Sequence, residues 1–293
     1  MVLDYVKLKD IKPALSGYVA ESLILLKRSP VPDDDAIHDI RVLMKKSRAA
    51  VKLLVSQLDE ESFNREYLAY REAGRILCSW RDSSVHRKTL KTLKKANKKL
   101  YGEIEDHEKV KELLAKYEQP TEVTPEINEK IEMVEDILRK SAYRMRFYTL
   151  DKLDPRLLMN ELEKSYKIVS DIYLECRVNP KPSKLHEFRK KGKDFLYQLY
   201  FFRPLNSSKI KGLEKRLDNL TQNLGKYNDL TQLIEAMEYN ISNPDNLASL
   251  NELMILIKDK QDQYLSKVWP TAYKIFCPGQ QLINVLGFKL LVI

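Results

Sequence analysis

A row of basic side chains at helical spacing begins at His38. Four cations follow it at three, seven, ten and fourteen residues: Arg41, Lys45, Arg48 and Lys52. Because an α-helix turns once in about 3.6 residues, these spacings place all five side chains on one narrow stripe. Apolar residues of the same segment fall on the adjoining side of the helix: Ile40, Leu43, Met44, Val51 and Leu54. The pattern predicts an amphipathic helix whose cations border its buried face.

The same pattern recurs at His186, 148 residues after His38 in a chain of 293 residues. Arg189 and Lys193 repeat the positions of Arg41 and Lys45. The second stripe is again cationic and ends beside a tyrosine: Arg189, Lys190, Lys193 and Tyr197. The recurrence predicts an internal duplication, with a first helical half over residues 1–150 and a second over residues 151–293.

The acidic residues of the two segments predict what the stripes could bind. Asp39, Glu187 and Asp194 all fall away from the cationic stripe on a helical wheel. Cations held beside an apolar face without a matching carboxylate need an anion. A solvated charged face would explain one such helix equally well, but its repetition favours an anion-binding surface.

Each histidine is expected in the first turn of its helix. Breaker and capping residues precede both, at residues 30–35 and 180–183. Free backbone N–H groups at a helix N-terminus attract anions and disfavour imidazolium. Neutral His38 and His186 could therefore contact a phosphate. They could equally be buried and bonded to a neighbouring helix, and the sequence leaves both alternatives open.

A further repeated segment supplies two aspartates. LCSWRD at residues 77–82 aligns with LGKYND at residues 224–229. We expect Asp82 and Asp229 to accept hydrogen bonds from Arg or His and to orient them, because buried charges are usually paired. Tyr197 is assigned a similar supporting role.

These motifs resemble a known family. HDxR at residues 38–41, LHExRKKxK at residues 185–193 and the Leu-Gly-x-x-Asn-Asp segment are similar to signatures of the CHAD family, the conserved histidine α-helical domain. Cys78 stands where the family has a glycine that permits close helix packing, so we expect the first half to be slightly splayed. The resemblance implies two pseudo-symmetric antiparallel helical bundles around a basic central cavity that binds inorganic polyphosphate, or phosphate or sulfate in a crystal. A Tyr-Arg signature of the family adds Arg144 to the candidate cavity residues.

Composition agrees with an all-α fold and an acidic partner. Glycine is scarce, at 8 residues, and the net charge is +9, from 51 Lys and Arg against 42 Asp and Glu. The three cysteines are scattered without a CxxC motif, and no apolar run approaches the roughly 18 residues of a membrane span. We therefore expect a cytoplasmic protein, associated with polyphosphate granules. The apolar end, residues 280–293, is expected to dock on the second bundle or to form a dimer contact.

Two other functions compete with polyphosphate binding. Residues 87–99 carry seven cations and suggest a nucleic-acid surface, but they contain no aromatic residue for base stacking. His38-Asp39 suggests a metal-dependent phosphohydrolase, although the chain has only four histidines and lacks nucleotide-binding and hydrolase motifs. We therefore expect a binding protein with no catalytic residues, metal site or cofactor.

Overall fold

The computed structural model describes residues 11–29, 32–78, 82–96, 98, 125–150, 153–240 and 247–287. Within these ranges the chain is helical and has no strand, which confirms the predicted all-α class. The α-helices are α1 (Ile11–Lys27), α2 (Asp34–Leu53), α3 (Glu60–Ile76), α4 (Asp82–Ala96), α5 (Pro125–Met145), α6 (Pro155–Val178), α7 (Pro182–Leu199), α8 (Ser207–Asn240), α9 (Leu247–Phe276) and α10 (Leu282–Leu286). A short 3₁₀ helix, Tyr200–Phe202, follows α7.

The helices form two four-helix bundles. In the first, α2 packs against α1 and α3, and α5 closes the ring by contacting α1 and α3. In the second, α7 packs against α6 and α8, while α9 contacts α8 and α6. Short connections between successive helices make neighbours antiparallel. The two stripe-bearing helices, α2 and α7, therefore hold equivalent places in the two bundles.

The bundles meet through the same two helices. α2 packs directly against α7, with smaller contacts from α2 to α6 and from α4 to α8. Apolar side chains of both stripe helices are fully buried, among them Ile40 and Met44 on α2 and Phe188 and Phe195 on α7. Burial of these faces fixes the rotation of each helix, so the cationic stripes turn toward the junction.

Both histidines lie just beyond the first turn of their helices, whereas the sequence predicted them within it. Asp33 caps α2 by accepting a 2.7 Å hydrogen bond from the Ala36 amide, and Pro182 is the first residue of α7. His38 and His186 are thus each the fifth helical residue. Free helix-terminal N–H groups are confined to the first four residues, so they lie before the histidines.

The apolar C-terminal segment is partly described. Leu282 and Leu286 of α10 are buried, and α10 packs against α8 of the second bundle. Gly287 ends this helix with φ of 68°, a left-handed conformation that glycine adopts without strain. Residues 288–293 lie outside the described part, so the dimer contact stays a prediction.

Helix α4 contains much of the basic segment 87–99. Leu90 and Leu93 are buried, whereas Lys91, Lys94 and Lys95 are exposed. Residues 97 and 99 lie outside the described ranges. No described helix is both long and apolar enough to cross a membrane.

Candidate functional site

A cavity of about 720 Å³ opens where the two bundles meet. Four helices line it, two from each bundle. Its lining residues are His38, Val42, Lys45, Arg48 and Lys52 of α2, Tyr67 and Arg71 of α3, Arg189, Lys190, Lys193, Asp194 and Tyr197 of α7, and Thr221, Gln222, Gly225, Lys226 and Asp229 of α8. Most of the predicted stripe residues thus converge on one surface.

The lining carries a large excess of positive charge. Eight cations face two carboxylates: Lys45, Arg48, Lys52, Arg71, Arg189, Lys190, Lys193 and Lys226 against Asp194 and Asp229. Like charges in a cleft with low-dielectric walls reinforce one another and concentrate counter-ions. The arrangement can therefore hold a polyanion that offers several negative charges at once.

Tyrosine rings support two of the lysines. The Lys52 ammonium lies 5.5 Å from the Tyr67 ring centroid, and Lys193 lies 5.8 Å from that of Tyr197. Burial, the largest cause, raises the pKa of Tyr197 to about 12. Its hydroxyl therefore stays protonated at neutral pH. Each of the two rings has a lysine ammonium group near it, so the tyrosines position these cations through cation–π contacts.

Two of the lysines are paired with carboxylates. Lys52 Nζ lies 2.5 Å from Asp194 Oδ2, and Lys193 Nζ lies 2.9 Å from Asp218 Oδ1. The interpretation that the stripes lack acidic partners was wrong in this respect. Asp194 lies off the stripe of its own helix α7, but it reaches the stripe of α2 in the other bundle.

The two equivalent arginines have different surroundings. Arg189 lines the cavity, and its guanidinium lies across Gly225 of α8. Arg41 is not among the lining residues, and its Nη1 donates to the Gly74 carbonyl oxygen at 3.2 Å. The Nε atoms of Arg41, Arg48 and Arg189 are buried with no acceptor among the described residues, and of these three arginines Arg48 and Arg189 line the cavity. Unsatisfied donors of this kind favour an anion at the cavity wall.

The two histidines also differ. His38 lines the cavity, whereas His186 does not and lies 2.6 Å, through Nδ1, from Asn228 Oδ1. Burial is the largest cause of the lowered pKa of His186, and the nearby cations Arg189, Lys190 and Lys45 lower it further. Because the Asn228 amide oxygen can only accept a hydrogen bond, the contact assigns the donated proton to Nδ1 of His186. This agrees with the alternative of a histidine bonded to a neighbouring helix.

Arg144 lies in a separate polar cluster. Its Nε donates at 2.5 Å to Glu66 Oε1, and Ser141 and Tyr148 also donate to this buried carboxylate. Arg144 is not among the residues that line the cavity. The cluster joins α3 to the C-terminal end of α5 within the first bundle.

The remaining predicted residues are only partly accounted for. Asp229 lines the cavity, whereas Asp82 begins α4 and its side chain lies outside the described part of the structure.

The sequence interpretation missed Tyr67, Arg71 and Lys226. Lys226 lies inside the repeated LGKYND segment, and Tyr67 and Arg71 share a helical face one turn apart, so both signals were present in the sequence.

Fold and site together define an all-α protein with two bundles around a cationic cavity. The family model described as CHAD domain matches residues 23–238. The match spans more than half of the sequence, so the chain belongs to the CHAD family, which is associated with polyphosphate binding. No curated protein shows a significant match to the sequence.

Proposed function

We propose that this protein binds inorganic polyphosphate non-covalently in the cavity between the bundles. The observation that carries the proposal is the excess of eight cations over two carboxylates on the cavity lining, contributed by both bundles. A linear polyphosphate carries negative charge on every unit. It can therefore contact more of the cations of α2 and α7 at once than a single phosphate can.

The cations divide into two chemical kinds. The guanidinium groups of Arg48, Arg71 and Arg189 can each donate to two phosphate oxygens in a fixed fork. The ammonium groups of the cavity lysines act as point charges that adjust to a flexible chain. Binding through these contacts breaks no covalent bond, so the function that we propose is non-catalytic.

Nucleic acid is the alternative polyanion, and the tyrosines bear on it. Base stacking needs an open aromatic face. In the cavity, the faces of Tyr67 and Tyr197 are approached by the ammonium groups of Lys52 and Lys193. This arrangement favours a ligand without bases.

Titration calorimetry tests the proposal. Long-chain polyphosphate, orthophosphate, ATP and duplex DNA are compared at the same salt concentration and pH, with and without EDTA. We expect polyphosphate to bind at least tenfold more tightly than the other three, because several contacts add, and to bind equally well in EDTA. Equal or tighter binding of DNA would favour the nucleic-acid function. Binding lost in EDTA and restored by a divalent ion would favour a metal-dependent phosphohydrolase.

The proposal extends to location in the cell. We place the protein in the cytoplasm, at polyphosphate granules. A fluorescent fusion should coincide with granules stained for polyphosphate and should spread evenly in cells that lack the polymer. An even distribution in both would contradict granule association without affecting binding.

A further inference from the structure

We propose that Gly225 is a positioning residue that places the Arg189 guanidinium in the cavity, so that only the second of the two equivalent arginines binds the ligand. The inference rests on the proposed function, since it concerns how the same site holds a phosphate chain.

Arg189 packs directly on the backbone of α8 at Gly225. A Cβ atom at this position would lie 3.1 Å from Arg189 Nε, 3.4 Å from Nη2 and 3.6 Å from Cζ. The first distance is tighter than ordinary van der Waals contact, so a Cβ at this position would move the guanidinium by a few tenths of an ångström. Arg189 Nε has no acceptor in the described part of the chain, and this is also true of Arg41 Nε, so the two arginines differ in what their guanidinium groups pack against. Close packing against glycine therefore holds the group.

The first bundle supplies a natural comparison. Arg41 is the equivalent of Arg189, and the repeated segments align Cys78 with Gly225. Arg41 does not line the cavity and donates instead to Gly74, four residues before Cys78. α3 ends at Ile76, whereas Gly225 lies inside α8. The first bundle therefore lacks a surface like the one on which Arg189 lies. Position 78 carries a side chain, and helix α3 has already ended there.

The position of the guanidinium decides what it can recognise. An arginine forks onto two oxygens of a phosphate only when its plane is correctly placed, and a shift of a few tenths of an ångström weakens both hydrogen bonds. Gly225 thus contributes to affinity without contacting the ligand through a side chain. The two-fold repeat in the sequence becomes a functional asymmetry in the structure.

Two glycine variants in the same helix test the inference. Gly225→Ala is compared with Gly212→Ala, because both residues lie within α8 and a Cβ at Gly212 would meet nothing within 4 Å. Alanine favours helix over glycine, so both variants should keep Tm at or above the wild-type value. We expect Gly225→Ala to weaken long-chain polyphosphate binding by about three- to tenfold and Gly212→Ala to leave it unchanged.

A double-mutant cycle separates positioning from a general structural effect. In an Arg189→Ala background, Gly225→Ala should cause no further loss, because the group that it displaces is gone. Arg189→Lys should also make binding insensitive to Gly225→Ala, since ammonium does not fork. Circular dichroism confirms that each variant is folded at the assay temperature.

The outcomes are distinguishable. If the wild-type protein fails to bind polyphosphate, the proposed function is wrong. If it binds and Gly225→Ala binds as tightly as Gly212→Ala, the inference about Gly225 is overturned. It is overturned equally if Gly225→Ala causes the same fold loss with and without Arg189.

Discussion

Lys52 and Asp194 form a salt bridge of 2.5 Å that joins α2 of the first bundle to α7 of the second. Both side chains are partly buried and line the cavity. The Asp194 carboxylate therefore pairs with a cation that could otherwise bind a phosphate chain. Ligand binding has to compete with this salt bridge, which also connects the two bundles.

Removing the Asp194 charge should strengthen binding. Asp194→Asn leaves a neutral side chain of the same shape and releases Lys52 for phosphate. A partly exposed ion pair contributes about 0.5–1 kcal/mol, so we expect two- to fivefold tighter polyphosphate binding by calorimetry. Asp171→Asn is the matched control, because this exposed residue of α6 changes the net charge equally. Equal gains in the two variants would mean that only net charge matters.

The two equivalent arginines should differ in importance. Arg189→Ala removes a charge-assisted contact worth about 1.5–3 kcal/mol and should weaken polyphosphate binding by about 10- to 100-fold. Arg41→Ala should weaken it by less than about threefold, because Arg41 donates to Gly74 outside the cavity lining. Calorimetric titration of both variants checks this. Equal losses would restore the symmetric site that the repeat alone predicts.

The salt dependence of binding should reflect phosphate contacts made by the cavity cations and none made by the basic helix α4. Log affinity should fall linearly with log salt, with a slope of about 0.7 for each phosphate contact by analogy with single-stranded nucleic acid. Lys45→Ala should reduce the slope by about one contact. Lys95→Ala, on the exposed side of α4, should leave both slope and affinity unchanged. A loss for Lys95→Ala as large as for Lys45→Ala would make α4 the binding surface.

Arg144 should affect stability more than binding. Arg144→Ala leaves the buried Glu66 carboxylate without its cation and should lower the free energy of unfolding by about 3 kcal/mol. Urea unfolding measures the loss, and Arg139→Ala, on the exposed side of α5, should cost much less. Polyphosphate affinity of the folded Arg144→Ala protein should match the wild type. A tenfold loss of affinity would return Arg144 to the binding site.

His186 should make stability fall in acid. Because its pKa is lowered in the folded protein, the unfolded chain binds the proton more readily as pH falls below the ordinary value of 6.5. The free energy of unfolding should therefore decrease from pH 7.5 toward pH 5. His186→Gln should show a smaller decrease over the same range by urea unfolding. An unchanged pH dependence would show that His186 does not titrate differently in the two states.

Local sequence determined the helices and the cationic stripes. Both depend on residue spacing within one segment, since helical periodicity is a property of a few turns. The duplication was predicted by the recurrence of one such segment 148 residues further along the chain. The wheel correctly grouped Lys45, Arg48, Arg189 and Lys193, because burial of the apolar face fixes how a helix is rotated.

Tertiary structure decided which of these side chains face the cavity and which are paired. Asp194 reaches Lys52 only because α7 of one bundle packs on α2 of the other. Arg41 and Arg189 occupy the same position on the wheel, yet one meets a carbonyl on α3 and the other a glycine on α8. A helical wheel contains no information about the neighbouring helix, and the partner of each charged group is set by residues many positions away in the chain.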